Sequence, residues 1–317
     1  MDIEFFAPLG RAFDRMKRAL FQPFDLRKWF VVGFAAFLAG LTDARSGGGF
    51  WGNPAGKHKG GDPGEIFRMP YEIWDWIVRH PGGMIAIAVL LLVIIAIGIA
   101  LAWVSARAKF VFLDNVVRDH ALIARPWREY VREGNSFFLW NLVLGVVVAL
   151  ISIPYLVFCF LSLKALYEST SSGAVLIVPG ILYGLGMMVI FFLFGFVALM
   201  LKDFVLPIMY RDRTGTLPAA RKFMTILGPN LLHFIGYALL LFFLILGIGA
   251  AVLLAGCVTC CIGFVILMIP YIGAVVLLPV SYTLRAFSVE FLQQFGNDFQ
   301  VIPVLGDVPP ERPPVLA

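Results

Sequence analysis

Hydrophobic positions along this chain come in long blocks rather than in alternation. Five stretches, 82–106, 137–162, 174–201, 231–256 and 262–284, contain no Asp, Glu, Lys or Arg. Each exceeds the about 20 residues that a helix needs to cross the hydrocarbon of a bilayer, so each predicts a spanning helix. A sixth apolar stretch, Trp29 to Leu41, has only 13 residues, about 20 Å of helix. It crosses only if Arg27, Lys28 and Arg45 snorkel to the interfaces or the bilayer thins around it. The alternative is a signal-peptide core, for which the 28 residues ahead of it are too long and too amphipathic.

Between the blocks the pattern turns amphipathic. Phe5, Leu9, Phe13, Met16 and Leu20 recur every three or four residues with Arg11, Asp14, Arg15, Lys17 and Arg18 between them, which predicts a helix lying in the interface. Its counterparts are Arg125 to Gly134 and Pro218 to Leu227, the latter ended by Gly228 and Pro229 so that the chain turns into the bilayer. Counted in chain order from Trp29–Leu41, the second, fourth and sixth blocks each end on a cation followed by aromatic and aliphatic residues: Lys109 in KFVFL, Lys202 in KDFVL and Arg285 in RAFSVEFL. Lys109, Leu113, Arg118 and Asp119 recur 93 residues later as Lys202, Leu206, Arg211 and Asp212. The fold class expected is therefore all-α: a polytopic membrane protein of six transmembrane helices, built as three repeats of an interfacial helix and a helical hairpin. The units are 1–104, 105–201 and 202–290, followed by a Pro-rich, disordered tail at 291–317. The loop before the second span is Gly-rich like a linker, and then PYEIWDWIVRHPGG puts Ile73, Trp76 and Ile77 on one face of a further interfacial helix.

Composition agrees with the pattern. Of 317 residues 60% are hydrophobic and 14% charged, against about a quarter charged in soluble domains, which excludes a water-soluble globule. The net charge of +5 forms no basic stripe, so no nucleic-acid partner is expected. It sets topology instead. With six spans, 19 of the 25 Lys and Arg fall on one side and 6 on the other; without the sixth the division is 13 to 12. Positive-inside bias then puts both termini in the cytoplasm, at what is expected to be a bacterial cytoplasmic membrane.

Candidate chemistry is sparse. The blocks carry no interior ionisable residue, as ion-coupled transport usually requires, and Ser152, Ser162 and Ser281 have no acid or base at bilayer depth to activate them. Cys257, Cys260 and Cys261 lack the further ligands of a zinc site and read as small apolar residues of a tight hairpin, with a local disulfide as the alternative. His58 and His80 read as solvated loop residues. Asp114, Asp119, Asp203 and Asp212 read as partners in local ion pairs. No catalytic residue, cofactor or metal is expected. Gly180 and Gly184 form a G-x-x-x-G packing face. Two features suggest binding. Arg118, Arg125, Arg128, Arg211, Arg213 and Arg221 lie beside the interfacial helices and are expected to attract anionic lipid. Ile153-Pro154-Tyr155 and Ile269-Pro270-Tyr271 predict paired kinks that frame an outer cavity lined by Ser152, Tyr155 and Tyr271.

The run KDFVLPIMYRDRTGTLPAARKFMTILGPNLLHFIGYALL from Lys202 to Leu240 resembles the repeated unit of a loose group of uncharacterised bacterial membrane proteins. That group includes the six-span domain found ahead of some glycerophosphodiester phosphodiesterases. The resemblance rests on DFVLP, a Gly, AA and an apolar entry into the next span. It implies the three-unit plan and no catalytic residue; the residues after Arg285 are too few for the soluble phosphodiesterase domain. The expected function is a non-enzymatic membrane module organising lipid or a partner, either another membrane protein or a second copy. The alternatives are a passive transporter or channel with an outward cavity, and a lipid-modifying enzyme.

Overall fold

The computed structural model describes residues 3–43, 67–68, 71, 75–76, 78–170, 173–259 and 262–302. Among them every regular element is helical: α1 (Phe6–Phe21), α2 (Leu26–Gly40), α3 (Pro81–Arg118), α4 (Ala124–Glu129), α5 (Val131–Thr170), a 3-10 turn (Gly173–Leu176), α6 (Ile177–Met200), a π turn (Leu201–Val205), α7 (Leu206–Asp212), α8 (Thr216–Leu227), α9 (Leu231–Val258), α10 (Ile262–Met268), α11 (Pro270–Val276) and α12 (Leu278–Leu292). Four helices are long and apolar enough to cross a membrane: α3, α5, α6 with its continuation to Asp212, and α9. A fifth is reached if α11 and α12, bent by 63°, count as one broken span.

The stretch expected as a single span at 262–284 is thus three helical pieces, and proline chemistry explains both breaks. Ile269 is extended (φ −74°, ψ 113°), as the residue before a proline prefers, and Pro270 opens α11 at a position where its missing N–H costs nothing. The second break, at Leu277, lies just before Pro279 in the first turn of α12. The short first block forms α2, whose 15 residues rise about 22 Å. Asp25 caps it by accepting from the Arg27 N–H at 2.8 Å.

The chain divides into two compact units, interleaved in sequence. One holds the described residues of Met1–Gly48, Val104–Phe138 and Leu199–Ala317, the other those of Gly49–Trp103 and Leu139–Ala198. The first unit has a protein-like core. Phe204, Phe223, Phe234, Tyr237, Phe287 and Phe291 are all buried and meet at ring separations such as 4.8 Å (Phe204 to Tyr237) and 5.1 Å (Phe223 to Phe234), both edge to face, an arrangement that ring quadrupoles favour. α1 packs on α12 through Ala12, Met16, Ala19 and Leu20, and Arg11 donates to Glu290 at 2.9 Å. The amphipathic face expected to lie in the bilayer surface is therefore partly a protein contact, with Phe6 and Phe13 on the exposed side. α2 packs on α11, and Gly33 permits the approach: a Cβ there would stand 2.7 Å from Val275 Cγ2 and 3.3 Å from Val275 Cα.

The second unit consists of the N-terminal part of α3, most of α5, and α6, with a few described residues before α3. Its apolar side chains point outward; Leu92, Leu150 and Phe192 are 68%, 68% and 71% exposed. Only Ser152 and Cys159 are buried among its described residues. Helices so apolar on their outer faces belong in lipid rather than in water.

Candidate functional site

Three cations from separate parts of the first unit converge on one cavity. Lys109 comes from α3, which stays helical well past its apolar block and carries Lys109 into the core beside Phe110 and Leu113. Lys202 and Asp203 sit on the π turn, which wedges one extra residue into the helical register, an irregularity frequent at functional sites. Arg285 lies in the buried stretch of α12. These are the same three cations that end the second, fourth and sixth apolar blocks.

Asp43, three residues beyond α2, holds two of them. Its Oδ1 accepts from Lys109 Nζ at 3.1 Å, and its Oδ2 accepts from Lys202 Nζ. Burial alone would raise the Asp43 pKa, but the two ammonium groups hold the carboxyl well below the usual carboxylate range. Asp203 forms the other half of the cluster. Tyr237 donates to its Oδ2 at 3.1 Å, Arg285 Nη1 stands 4.0 Å from its Oδ1, and the same Nη1 donates to the Lys202 carbonyl at 2.9 Å. Ser105 and Thr42 hydroxyls meet at 2.9 Å and Ser105 donates to the Ala39 carbonyl at 2.8 Å, pinning the end of α2 that leads to Asp43.

The cavity beside this cluster measures about 420 Å³, inside the roughly 300–1,000 Å³ range of small-molecule sites. Its charged end is Asp43, Lys109, Lys202, Asp203 and Arg285; the rest of the wall is aliphatic, chiefly Leu241, Ile245, Ile248 and Val252 of α9 with Leu277, Val280 and Leu284 of α11 and α12's neighbourhood. Three cations face two carboxylates, leaving one positive charge at the head of an apolar chamber.

A second polar cluster surrounds Asp114, which is 1% exposed. It accepts from Tyr210 at 2.7 Å and Tyr130 at 3.3 Å, and lies 3.2 Å from Arg118 Nε and 3.1 Å from His120 Nε2. Tyr130 and Tyr210 stack at 5.0 Å, and Arg213 covers the Tyr130 ring at 3.9 Å. Burial, then the neighbouring Tyr210, raises the Tyr130 phenol pKa. With four side chains turned onto one carboxylate, this cluster ties α3, α4 and α7 together.

The arginines expected to attract lipid are unequal. Arg118, Arg125 and Arg213 share the Glu129 carboxylate, with Arg118 and Arg125 at 3.9 and 3.8 Å, and Arg211 lies 4.0 Å from Asp212. Arg128 and Arg221 make no ion pair among the described residues. The four acidic residues do pair: Asp114 as above, Asp119 with Lys28 at 2.9 Å, Asp203 with Arg285 and Asp212 with Lys222 at 2.6 Å.

The two Ile-Pro-Tyr sequences act differently. α5 continues unbroken through Pro154, whereas Pro270 starts a helix. They lie in different units, and each tyrosine is satisfied within its own: Tyr155 donates to the Tyr183 carbonyl at 3.0 Å and Tyr271 to the Phe30 carbonyl at 2.9 Å. Neither tyrosine nor Ser152 is among the residues lining the charged cavity. Gly180 and Gly184 have no heavy atom within 4 Å of a built Cβ, so no close helix contact forms there among the described residues. His58, Ile73 and Ile77, Cys260 and Cys261, and the tail from 303 lie outside the described residues; Cys257 is an exposed free thiol, and His80 stacks on Trp76 at 5.0 Å. Among the described residues no group of three or more His, Cys, Asp or Glu is placed to hold a metal ion.

Sequence reasoning singled out Lys109, Lys202 and Arg285 as repeat markers but not as a site. Asp43 was missed. The only signal available was an acid immediately after a short apolar block, which is not distinctive by itself. No curated protein and no solved structure matches the chain. A family model does, over residues 5–293, and the chain belongs to that family, a family of unknown function (DUF7544).

Proposed function

We propose that the protein is a non-enzymatic module of the bacterial cytoplasmic membrane that binds a lipid-like amphiphile in the cavity of its first unit. The observation that carries this reading is the cavity's polarity: a cationic end built from Lys109, Lys202 and Arg285 and an aliphatic wall from α9 and the segments after Pro270. An amphiphile matches both ends at once. A water-filled polar path does not suit the aliphatic wall, and no nucleophile with an adjacent base lines it.

In this reading the chain has three repeats with both termini cytoplasmic, and the broken α10–α12 segment counts as one span. α2 lies beside the cytoplasmic extension of α3 rather than crossing, since Lys28 at its start meets Asp119 and Asp43 beyond its end meets Lys109. Two observations support the repeat. Its three equivalent cations share one cavity, and the two helices with matching sequences end on left-handed residues one position apart in the repeat register, Asp119 (φ 52°) and Arg213 (φ 55°). The cationic end then faces the cytoplasmic leaflet, where Arg128 and Arg221 add attraction for anionic headgroups of about 1 kcal/mol each. A cysteine placed at Ser171 should react with an impermeant maleimide from outside the cell and one at Thr214 should not; labelling of Thr214 sinks the orientation.

The binding reading is tested at Gly249. A Cβ there would meet no neighbouring heavy atom within 4 Å, and Gly249 lines the cavity. Purified in a neutral detergent, the wild-type chain should carry an amphiphile detectable by mass spectrometry of the extract, and Gly249→Phe should lose it while keeping its elution profile. Equal content in the two proteins, or none in either, overturns the reading.

A further inference from the structure

The two lysines that head the cavity are arranged as an anion receptor with its anion supplied by the chain itself. Both oxygens of one carboxylate, Asp43, are taken by two ammonium groups from elements far apart in sequence. The two acids of the cluster are not equivalent. Asp203 belongs to the helical frame, sits on the π turn and is bonded to Tyr237 and Arg285 across the core. Asp43 lies outside any helix, in the turn that follows α2, and its backbone N–H returns to the Gly40 carbonyl at 2.9 Å. A carboxylate on a turn can withdraw by rotation of a few backbone angles; one on a packed helix cannot. If Asp43 leaves, the lysines and Arg285 present three positive charges against one, directly above the aliphatic wall.

We infer that Asp43 is an exchangeable counterion, and that the occupant of the cavity is a single-chain amphiphile with an acidic head, a carboxylate or a phosphate, which replaces Asp43 on Lys109 and Lys202. This rests on the cavity reading above. The chemistry is exchange of one oxyanion for another on the same donors, with no bond made or broken. A charge-assisted contact is conserved in both states, so buried Lys109 and half-buried Lys202 are never left without an anion, a condition most costly for the buried one. A volume of about 420 Å³ lies toward the lower end for small-molecule sites and suits one hydrocarbon chain better than two.

The experiment is a binding titration on the full chain in neutral detergent, with dodecyl phosphate, dodecanoate, dodecanol and inorganic phosphate as probes. Dodecyl phosphate and dodecanoate should bind, and dodecanol and inorganic phosphate at equal concentration should not. Asp43→Asn removes the competing charge and should tighten dodecyl phosphate at least tenfold, whereas Lys202→Gln should weaken it at least tenfold. Asp43→Asn should also melt lower than wild type without ligand and gain more in Tm from dodecyl phosphate than wild type gains, as mass action requires for the tighter complex. Should that variant fold only when purified in dodecyl phosphate, the rescue reads the same way, and failure to fold in it counts against the proposal. Dodecyl phosphate binding that Asp43→Asn leaves unchanged or weakens overturns the exchange while the cavity reading stands. Absence of binding by both proteins sinks both. Equal binding of inorganic phosphate overturns the amphiphile and leaves a simple anion site.

Discussion

The two units use hydrophobic residues in opposite ways. In the first, Phe204 is 0% exposed and packed against four other rings, whereas in the second Phe192, on α6, is 71% exposed. The first unit also buries charge, with Lys109, Asp203 and Arg285 at 6%, 6% and 5% exposed. The second buries no charged residue among those described, and its one described buried polar side chain is Ser152. The difference teaches where specificity resides. Helices whose apolar faces meet lipid gain little from one particular neighbour, since lipid tails are as apolar as leucine. A core of interlocked rings and paired charges admits few arrangements. A cavity with defined chemistry therefore belongs in the first unit.

The sharpest way to break this contrast is to truncate one ring in each unit. Phe204→Ala should cost about 3–5 kcal/mol, and Phe192→Ala less than about 0.5 kcal/mol, both measured by reversible unfolding in mixed micelles. Equal costs would mean that the first unit's core is not tight. Next comes charge. Arg285→Met strands Asp203 with Tyr237 as its main donor and should cost about 3 kcal/mol, the lower end of the range for a broken buried pair because the Nη1 to Oδ1 distance is 4.0 Å. In the second unit Arg79→Met, which removes an exposed pair with Asp75 at 2.6 Å, should give no measurable change in the same assay.

Glycines offer a smaller and opposite-signed comparison. Gly33→Ala drives a methyl against Val275 and should destabilise by about 1–3 kcal/mol through overpacking. Gly98→Ala, where a Cβ meets nothing within 4 Å, should stabilise α3 by up to about 1 kcal/mol through helix propensity. The smallest effect is acid dependence. The folded pKa of Asp43 is depressed below its ordinary value of 3.8, so its contribution is fully present above pH 3.8 and is lost as pH falls from there toward the depressed value. Wild type should lose stability in that acid window relative to Asp43→Asn, followed by unfolding at a series of pH values; parallel curves would show that the carboxylate's environment is not cationic.

The four long helices were legible in the sequence because uninterrupted apolar length is a direct consequence of bilayer thickness and needs no partner to be recognised. So was α1, whose three-to-four residue period survives whatever covers its apolar side. The broken segment after Cys261 was read as one span because hydropathy counts Pro270 and Pro279 as minor interruptions, whereas the backbone treats each as a helix start. The three cations were visible as a repeating position, since a cation at the end of an apolar block is a local pattern. Their meeting was not, because the sequence has no record of which helix ends pack together. Tertiary structure alone decided that the π turn brings Lys202 and Asp203 to the cavity, and that the turn after α2 delivers Asp43 to lysines 66 and 159 residues away. Apolar length is set by a solvent that every helix shares. Charge pairing in a core is set by which particular neighbours exclude water around it, and that is fixed only when the whole unit has closed.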